Sequence, residues 1–510
     1  MPLLTRAEAT HYEETSRHAD VMAFIAGLQA KGDKRLHVTG FGASPEGRDL
    51  PLLVLSAHGV KTPEEARSLG RPVVLVISGI HAGEVEGKEG CLMLVRDLLE
   101  GRPGLDAGAI LADLTLVVAP LFNPDGNDAI HPGNRKLHLP RLTGQLGPES
   151  GVGTRVNAAQ INLNRDYLRM EGEEMRLLQT RVCQPWAPDL TIDNHATNGS
   201  VHRFSMTYDI PHTVGSGRSE PIEYMRHRLL PPVTAALKAN HGLDAGWYGN
   251  FVEDERALDA HRDAEPGAAV REGWMTYPHH PRFGSNYRGL TGRMDLLLEC
   301  YSYISFAERV RTAYAFMLET LKYVAAHRDE VVQTVAESRM PPERIAVRYG
   351  LERFETPIEI LTRAPRTLEG APTRVTIPHL GRFVGTTVVA RPEAYLVPAS
   401  MAAHLRLHGL ALREAVGIFE VEVPVVEGLG SMGGRAILEA ATVGDLSVSW
   451  RRGPRAVPAG WALVPTDQPL GAIAVYLCEP ESDDGAVENG LLPGPALGEE
   501  LALWRVPSLG

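Results

Sequence analysis

The run Val73-Val74-Leu75-Val76-Ile77, followed by Gly79-Ile80-His81-Ala82-Gly83-Glu84, constrains this chain more than any other stretch. An unbroken apolar run, mostly β-branched and too short for a helix, reads as a strand buried on both faces. Open α/β sheets bind ligands outside the carboxyl ends of such strands. Here that end carries a histidine and a glutamate three positions apart. An imidazole nitrogen and a carboxylate oxygen can share one metal ion, and zinc accepts both donors.

The same ending recurs twice. Leu190-Thr191-Ile192-Asp193-Asn194-His195 is a further predicted strand, and Met294-Asp295-Leu296-Leu297-Leu298-Glu299 another. Two histidines and a glutamate leave one position open on a tetrahedral zinc, as catalytic rather than structural sites do. Water at such a position becomes acidic, and a neighbouring carboxylate can take its proton. Glu299 is placed for that role, because a carboxylate at the end of a buried strand is costly unless paired or functional. Glu86 and Glu89 compete with Glu84 as carboxylates at a helix start. The chain has no His-Glu-x-x-His helix.

Helical periodicity covers Tyr12 to Ala30 and Glu89 to Leu99. Gly40 to Ser56 reads as a hairpin turning at Ser44-Pro45-Glu46-Gly47-Arg48, and Leu114 to Ala119 as a strand ending in the turn Asn123-Pro124-Asp125-Gly126. The Gly- and Pro-rich stretch from His131 to Asn157 is too long for a bland connector. Pro221 to Asn240 reads as a helix interrupted at Pro231-Pro232, and Asn250 to Arg288 as polar and irregular. One long amphipathic helix is expected from Ser305 to about Ser338, broken by Met340-Pro341-Pro342. The alternation predicts an α/β sandwich on a mostly parallel or mixed sheet. From Arg344 to Gly510 the pattern changes to short β-type runs with one helical piece, Ser400 to Leu407. The expected partition is therefore 1–340 and 344–510, the second part a smaller β-rich domain. Within it Gly433-Gly434 and Ser482-Asp483-Asp484-Gly485 read as turn chemistry. Packing, gating or oligomerisation is its expected role.

A net charge of −12 over 510 residues argues against nucleic-acid or anionic-membrane partners. The four cysteines, Cys91, Cys183, Cys300 and Cys478, form no Cys-x-x-Cys, so a cysteine zinc site is not expected. They fit a reducing compartment. The N-terminus lacks a basic stretch followed by an apolar one, and no apolar run is long enough to span a bilayer. A cytoplasmic protein is expected.

Five ordered motifs, over roughly residues 10 to 335, resemble those of zinc carboxypeptidases of the carboxypeptidase A type. Gly42 to Arg48 resembles the family's hairpin, His81-Ala82-Gly83-Glu84 its ligand pair, and Asn123 to Gly126 its recurrent turn. Asn162-Leu163-Asn164-Arg165 resembles its substrate clamp, and His195 and Glu299 match its third ligand and its catalytic glutamate. The resemblance implies a mixed-sheet α/β/α domain, one Zn²⁺ on His81, Glu84 and His195, and Glu299 as general base. It implies Asn164 and Arg165 on a substrate carboxylate, which guanidinium forks suit. Arg135 is implied as an oxyanion stabiliser, with Arg141 and Arg155 as competitors. Tyr277 and Tyr287 are both open as the family's mobile tyrosine. Two departures stand out: Gly83 where an arginine is often found, and Ala196-Thr197 where Ser-Tyr is common. The expected activity is hydrolysis of a peptide bond near a free C-terminal carboxylate. Its partners are a peptide or small amide, with no nucleic acid and no membrane, and oligomerisation is left open. The rivals are an amidohydrolase for N-acyl amino acids or cell-wall peptides, and a non-catalytic binding protein on the same fold.

Overall fold

The computed structural model describes residues 3–102, 105–260, 272–363, 368–430 and 446–509. The strands of the first part, in chain order, are β1 Leu36–Ala43, β2 Asp49–Leu55, β3 Val73–Ser78, β4 Thr115–Ala119, β5 Leu190–Ala196, β6 Met206–Asp209, β7 Ala245–Trp247, β8 Asn250–Phe251, β9 Trp274–Met275 and β10 Met294–Cys300. Eight of them form one mixed sheet in the order β1-β2-β4-β3-β5-β10-β6-β7. Its centre, β4-β3-β5-β10, is entirely parallel. β1 and β2 form the expected antiparallel hairpin.

Both faces of the sheet are covered, as the apolar run of β3 requires. Val74 and Val76 enter one hydrophobic cluster, and Val73, Leu75 and Ile77 enter the other. Helices Glu86–Glu100, Leu230–His241 and Phe306–Ala326 pack together in the first. The second joins the sheet to the 163–186 segment and to Ile345, Val347, Tyr395, Val397, Met401 and Leu405. β8 and β9 also share a four-stranded sheet with Arg344–Arg353 and His379–Ala390. A six-stranded sheet closes the C-terminal part.

Several expectations are corrected. The helix expected over Ser305 to Ser338 is two helices, Phe306–Ala326 and Arg328–Glu337. They break at His327, whose φ of −119° is not helical. Helical structure does not stop at Pro231-Pro232. A π-helical turn, Met225–Leu229, leads into Leu230–His241, whose first positions the prolines occupy. The prolines sit just past the junction where the π-helical turn passes into the α-helix, and π-turns of this kind are where a helix's backbone hydrogen-bond ladder changes register. The span Asn250 to Arg288 holds Val252–Asp259 and the start of Gly284–Leu290. The second of these helices is buried along its whole length, so packing overrides its poor propensity. Gly471–Cys478, read as part of a β-rich region, is a helix buried all round, which periodicity cannot separate from a buried strand. Gly433-Gly434 lies outside the described residues. Among the described residues no helix is long and apolar enough to cross a membrane.

Because Leu75 and Ile77 share a core with Ile345, Val347 and Tyr395, a chain ended at residue 340 is expected to expose that cluster and aggregate. Soluble yield and near-ultraviolet circular dichroism of the truncated chain check this, and a soluble chain with a native near-ultraviolet signal would contradict it.

Candidate metal centre

The site is assembled by sheet register. β3 ends at Ser78, and Gly79, at φ +73°, turns the chain into the loop bearing His81 and Glu84. Asp193 and His195 lie two apart on β5 and therefore share a face. In the parallel pairing of β5 with β10, Glu299 stands opposite His195. One sheet edge thus carries His81, Glu84, Asp193, His195 and Glu299.

Glu84 lies at the centre. Its Oε2 accepts from the Ala196 N–H at 2.9 Å and lies 3.1 Å from His195 Nδ1. Its Oε1 accepts from Arg135 Nη1 at 2.8 Å and lies 3.2 Å from His81 Nδ1. The two Nδ1 atoms are 3.2 Å apart. The outer nitrogens also face oxygens: His81 Nε2 lies 3.1 Å from Asn162 Oδ1, and His195 Nε2 lies within ion-pair distance of Asp193 Oδ1, at 3.3 Å. Oxygen partners on the outer nitrogen fix a ligating imidazole's tautomer and orientation. His81, Glu84 and His195 are all buried, with donor atoms within 4.8 Å of one another. Two imidazole nitrogens and a carboxylate at this spacing need a proton or a cation between them, and the set fits zinc.

The charges fit too. Burial, followed by the Arg155 charge, lowers His81 to about 3, so its imidazole is neutral. Burial opposes the charge on His195, yet Asp193 and Glu84 hold its pKa well above the ordinary histidine value. Burial would raise Glu84, but His81 and Arg135 hold it well below the carboxylate range. A metal ion held here would take the place of a proton on His195, as ligation generally does.

His81 and Glu84 open on a cavity of about 350 Å³ lined also by Glu299, Arg155, Asn164, Arg165, Tyr248 and Tyr277. Burial pushes Glu299 up to about 8, with His195 pulling it down and Glu84 adding to the rise. Arg165 lies with its guanidinium 3.8 Å over the Phe283 ring, and Asn164 Oδ1 accepts from the Gly284 N–H at 3.0 Å.

Other expected residues are placed elsewhere. Arg135 does not line the cavity; besides Glu84 it binds Gln145 Oε1 at 2.8 Å and the Ala196 carbonyl at 3.2 Å. Of its competitors, Arg141 is at the surface, whereas Arg155 lines the cavity with Nη1 3.2 Å from His81 Nδ1. Tyr287 is buried away from the cavity, 2.8 Å from His408 Nδ1, while Tyr277 lines it. Glu86 pairs with Arg309, and Glu89 accepts from Thr15 and Ser16, so both carboxylates are used in the scaffold. Asp125 of the Asn-Pro-Asp-Gly turn accepts from Ser44 and Arg48, locking that turn to the β1–β2 hairpin.

Asn162, Asp193 and Tyr248 had no place in the expectations. Asp193 carried a signal, since its spacing from His195 puts it on the ligand's face. Asn162 stood inside a quoted motif without a role. Tyr248 is brought in by a short strand that no pattern marks. A second cluster, His279, His280 and Asp483, also has metal-ligand types. Both Asp483 oxygens already accept hydrogen bonds, from Tyr476 at 2.6 Å, His279 at 2.8 Å and the Tyr349 N–H at 3.1 Å.

The carboxyl edge of this α/β sheet thus carries a His, Glu, His group that could hold a metal ion. Residues 21–190 match the family model described as zinc carboxypeptidase. The segment contains His81, Glu84, Asn164 and Arg165; His195 and Glu299 lie beyond it. Carboxypeptidase D of Drosophila melanogaster is 29% identical over 177 residues, 34% of this chain but 11% of that protein. Carboxypeptidase 2 of Trichophyton tonsurans is 21% identical over 479 residues, 91% of this chain and 81% of that one. A metallo-carboxypeptidase from Burkholderia cenocepacia is 18% identical with a TM-score of 0.39, covering 57% of this chain and 65% of its own. One from Pseudomonas aeruginosa, solved with (2-guanidinoethylmercapto)succinic acid, is 18% identical with a TM-score of 0.40, covering 62% and 68%.

A Cβ on Gly83 would lie 2.8 Å from both Arg135 Cδ and the Gly153 carbonyl oxygen, so no side chain fits between His81 and Glu84. Gly83→Ala is expected to displace Arg135 from Glu84 and weaken zinc binding by about 10–100-fold, the usual cost of disturbing a ligand's support. Equilibrium dialysis against a zinc buffer checks this.

Proposed function

We propose that this protein is a zinc-dependent metallocarboxypeptidase that hydrolyses the peptide bond next to a free C-terminal carboxylate. The observation that carries the reading is one cavity lined by His81, Glu84, Glu299, Asn164 and Arg165, with the third donor, His195, buried behind Glu84 and its Nδ1 3.1 Å from Glu84 Oε2. Zinc on His81 Nδ1, Glu84 and His195 Nδ1 would supply a Lewis acid that acidifies water and polarises a carbonyl.

The chain's own residues do the rest. Arg165, steadied on Phe283, and the Asn164 amide bind the terminal carboxylate and so set which peptide bond reaches the centre. Glu299 takes the proton of the attacking water and returns it to the leaving amine. Its buried position raises its proton affinity, which suits a group that must both accept and donate near neutrality, while a divalent cation beside it lowers that affinity. Arg155 lies next to His81 and supplies positive charge to the developing oxyanion. Arg135 keeps Glu84 oriented. Exopeptidase and deacylase share this chemistry, so relative rates on blocked dipeptides and N-acetyl amino acids separate them.

Glu299→Gln is expected to keep one zinc per chain and lower kcat by about 10²–10⁴-fold on a blocked dipeptide. A wild-type-like rate would remove Glu299 as the base. Arg165→Ala is expected to raise KM for the free-carboxylate substrate by roughly 10–100-fold, the loss of a charge-assisted bond. It should leave the slow hydrolysis of the corresponding C-terminal amide unchanged, and steady-state kinetics on the pair checks both outcomes.

A further inference from the structure

The cavity wall bearing Tyr277, Phe283 and Gly284 is fastened from behind by two consecutive acids of the C-terminal part. Arg282 and Asp484 are each 0% exposed. The Arg282 N–H donates to Asp484 Oδ2 at 2.7 Å, its Nε donates to Oδ1 at 2.8 Å, and its Nη2 lies 2.6 Å from Oδ1. Asn489 Nδ2 donates to the same Oδ1 at 3.0 Å. One residue earlier, Asp483 accepts from His279 Nε2 at 2.8 Å. The segment 279–282 is therefore held at both ends. The next two residues are those that touch Arg165 and Asn164.

We infer that Asp484, seconded by Asp483, is a positioning residue for substrate recognition, holding Phe283 and Gly284 where Arg165 and Asn164 can bind a carboxylate. This rests on the reading of Asn164 and Arg165 as the carboxylate clamp. A buried guanidinium keeps its place only while a carboxylate compensates its charge. Neutralising Asp484 removes the carboxylate paired with that charge and weakens the acceptor of the Arg282 N–H, so the segment relaxes. Phe283 then leaves Arg165, whose long side chain regains rotamer freedom that must be lost again on binding. The metal donors sit on the β3 loop and on β5, outside these contacts. The C-terminal part thereby acquires a role in specificity without touching substrate.

The test is steady-state kinetics of full-length, zinc-loaded Asp484→Asn on a blocked dipeptide and on its C-terminal amide. KM for the carboxylate substrate should rise about tenfold with kcat within about twofold, the pattern of lost binding rather than lost chemistry. Zinc content and the amide rate should not change. Asp483→Asn, which leaves the Arg282–Asp484 pair intact, should shift KM in the same direction by less, and it carries the test if Asp484→Asn fails to fold. An unchanged KM, or a fall in kcat with loss of zinc, overturns the inference. A wild-type enzyme that cleaves carboxylate and amide substrates equally well would instead overturn the clamp, and this inference with it.

Discussion

A single buried carboxylate, Glu84, ties the structure's functional end together. Its two oxygens meet the Ala196 N–H at the end of β5, Arg135 from the long Gly- and Pro-rich loop, and both histidines. A charge this deep is tolerated only when fully compensated. The loop must therefore return over the sheet edge to deliver Arg135, and β3 must end level with β5. Both imidazoles turn Nδ1 inward, with Asn162 bonded to the outer nitrogen of His81 and the Asp193 carboxylate 3.3 Å from that of His195.

That arrangement needs a dry, rigid frame. The sheet supplies it by being buried on both faces, with helices on one side and the 163–186 segment plus C-terminal residues on the other. Exclusion of water strengthens each electrostatic contact at the centre. The two histidines shift in opposite directions: burial lowers His81, whereas Asp193 and Glu84 raise His195 against the effect of its own burial. Asp193 in turn lies 3.5 Å from Arg288, which pairs with Asp295. The support of the centre thus extends one layer further into the core.

Much of this was legible in the sequence, for stated physical reasons. β3, β5 and β10 are short apolar runs ending in polar donors, and period-2 alternation with parallel pairing brings those ends together without knowledge of the loops. What lay in loops was harder to read. Arg135 and Arg155 are indistinguishable by spacing, because only the return path of the 131–157 loop decides which one reaches Glu84 and which the cavity. Tyr277 and Tyr287 sit on either side of a helix start whose residues have poor helical propensity, so the burial of Tyr287 against His408 carried no signal. Ser482 to Gly485 has turn composition, and turn composition is silent on whether Asp483 and Asp484 are solvated or paired with His279 and Arg282.

The proposed mechanism requires one zinc ion among His81, Glu84 and His195. An anomalous difference map from crystals of zinc-loaded protein, recorded on either side of the zinc absorption edge, tests it most directly. The account predicts one strong peak bounded by His81 Nδ1, Glu84 and His195 Nδ1. A map without a peak there, or with its main peak among His279, His280 and Asp483, would contradict it.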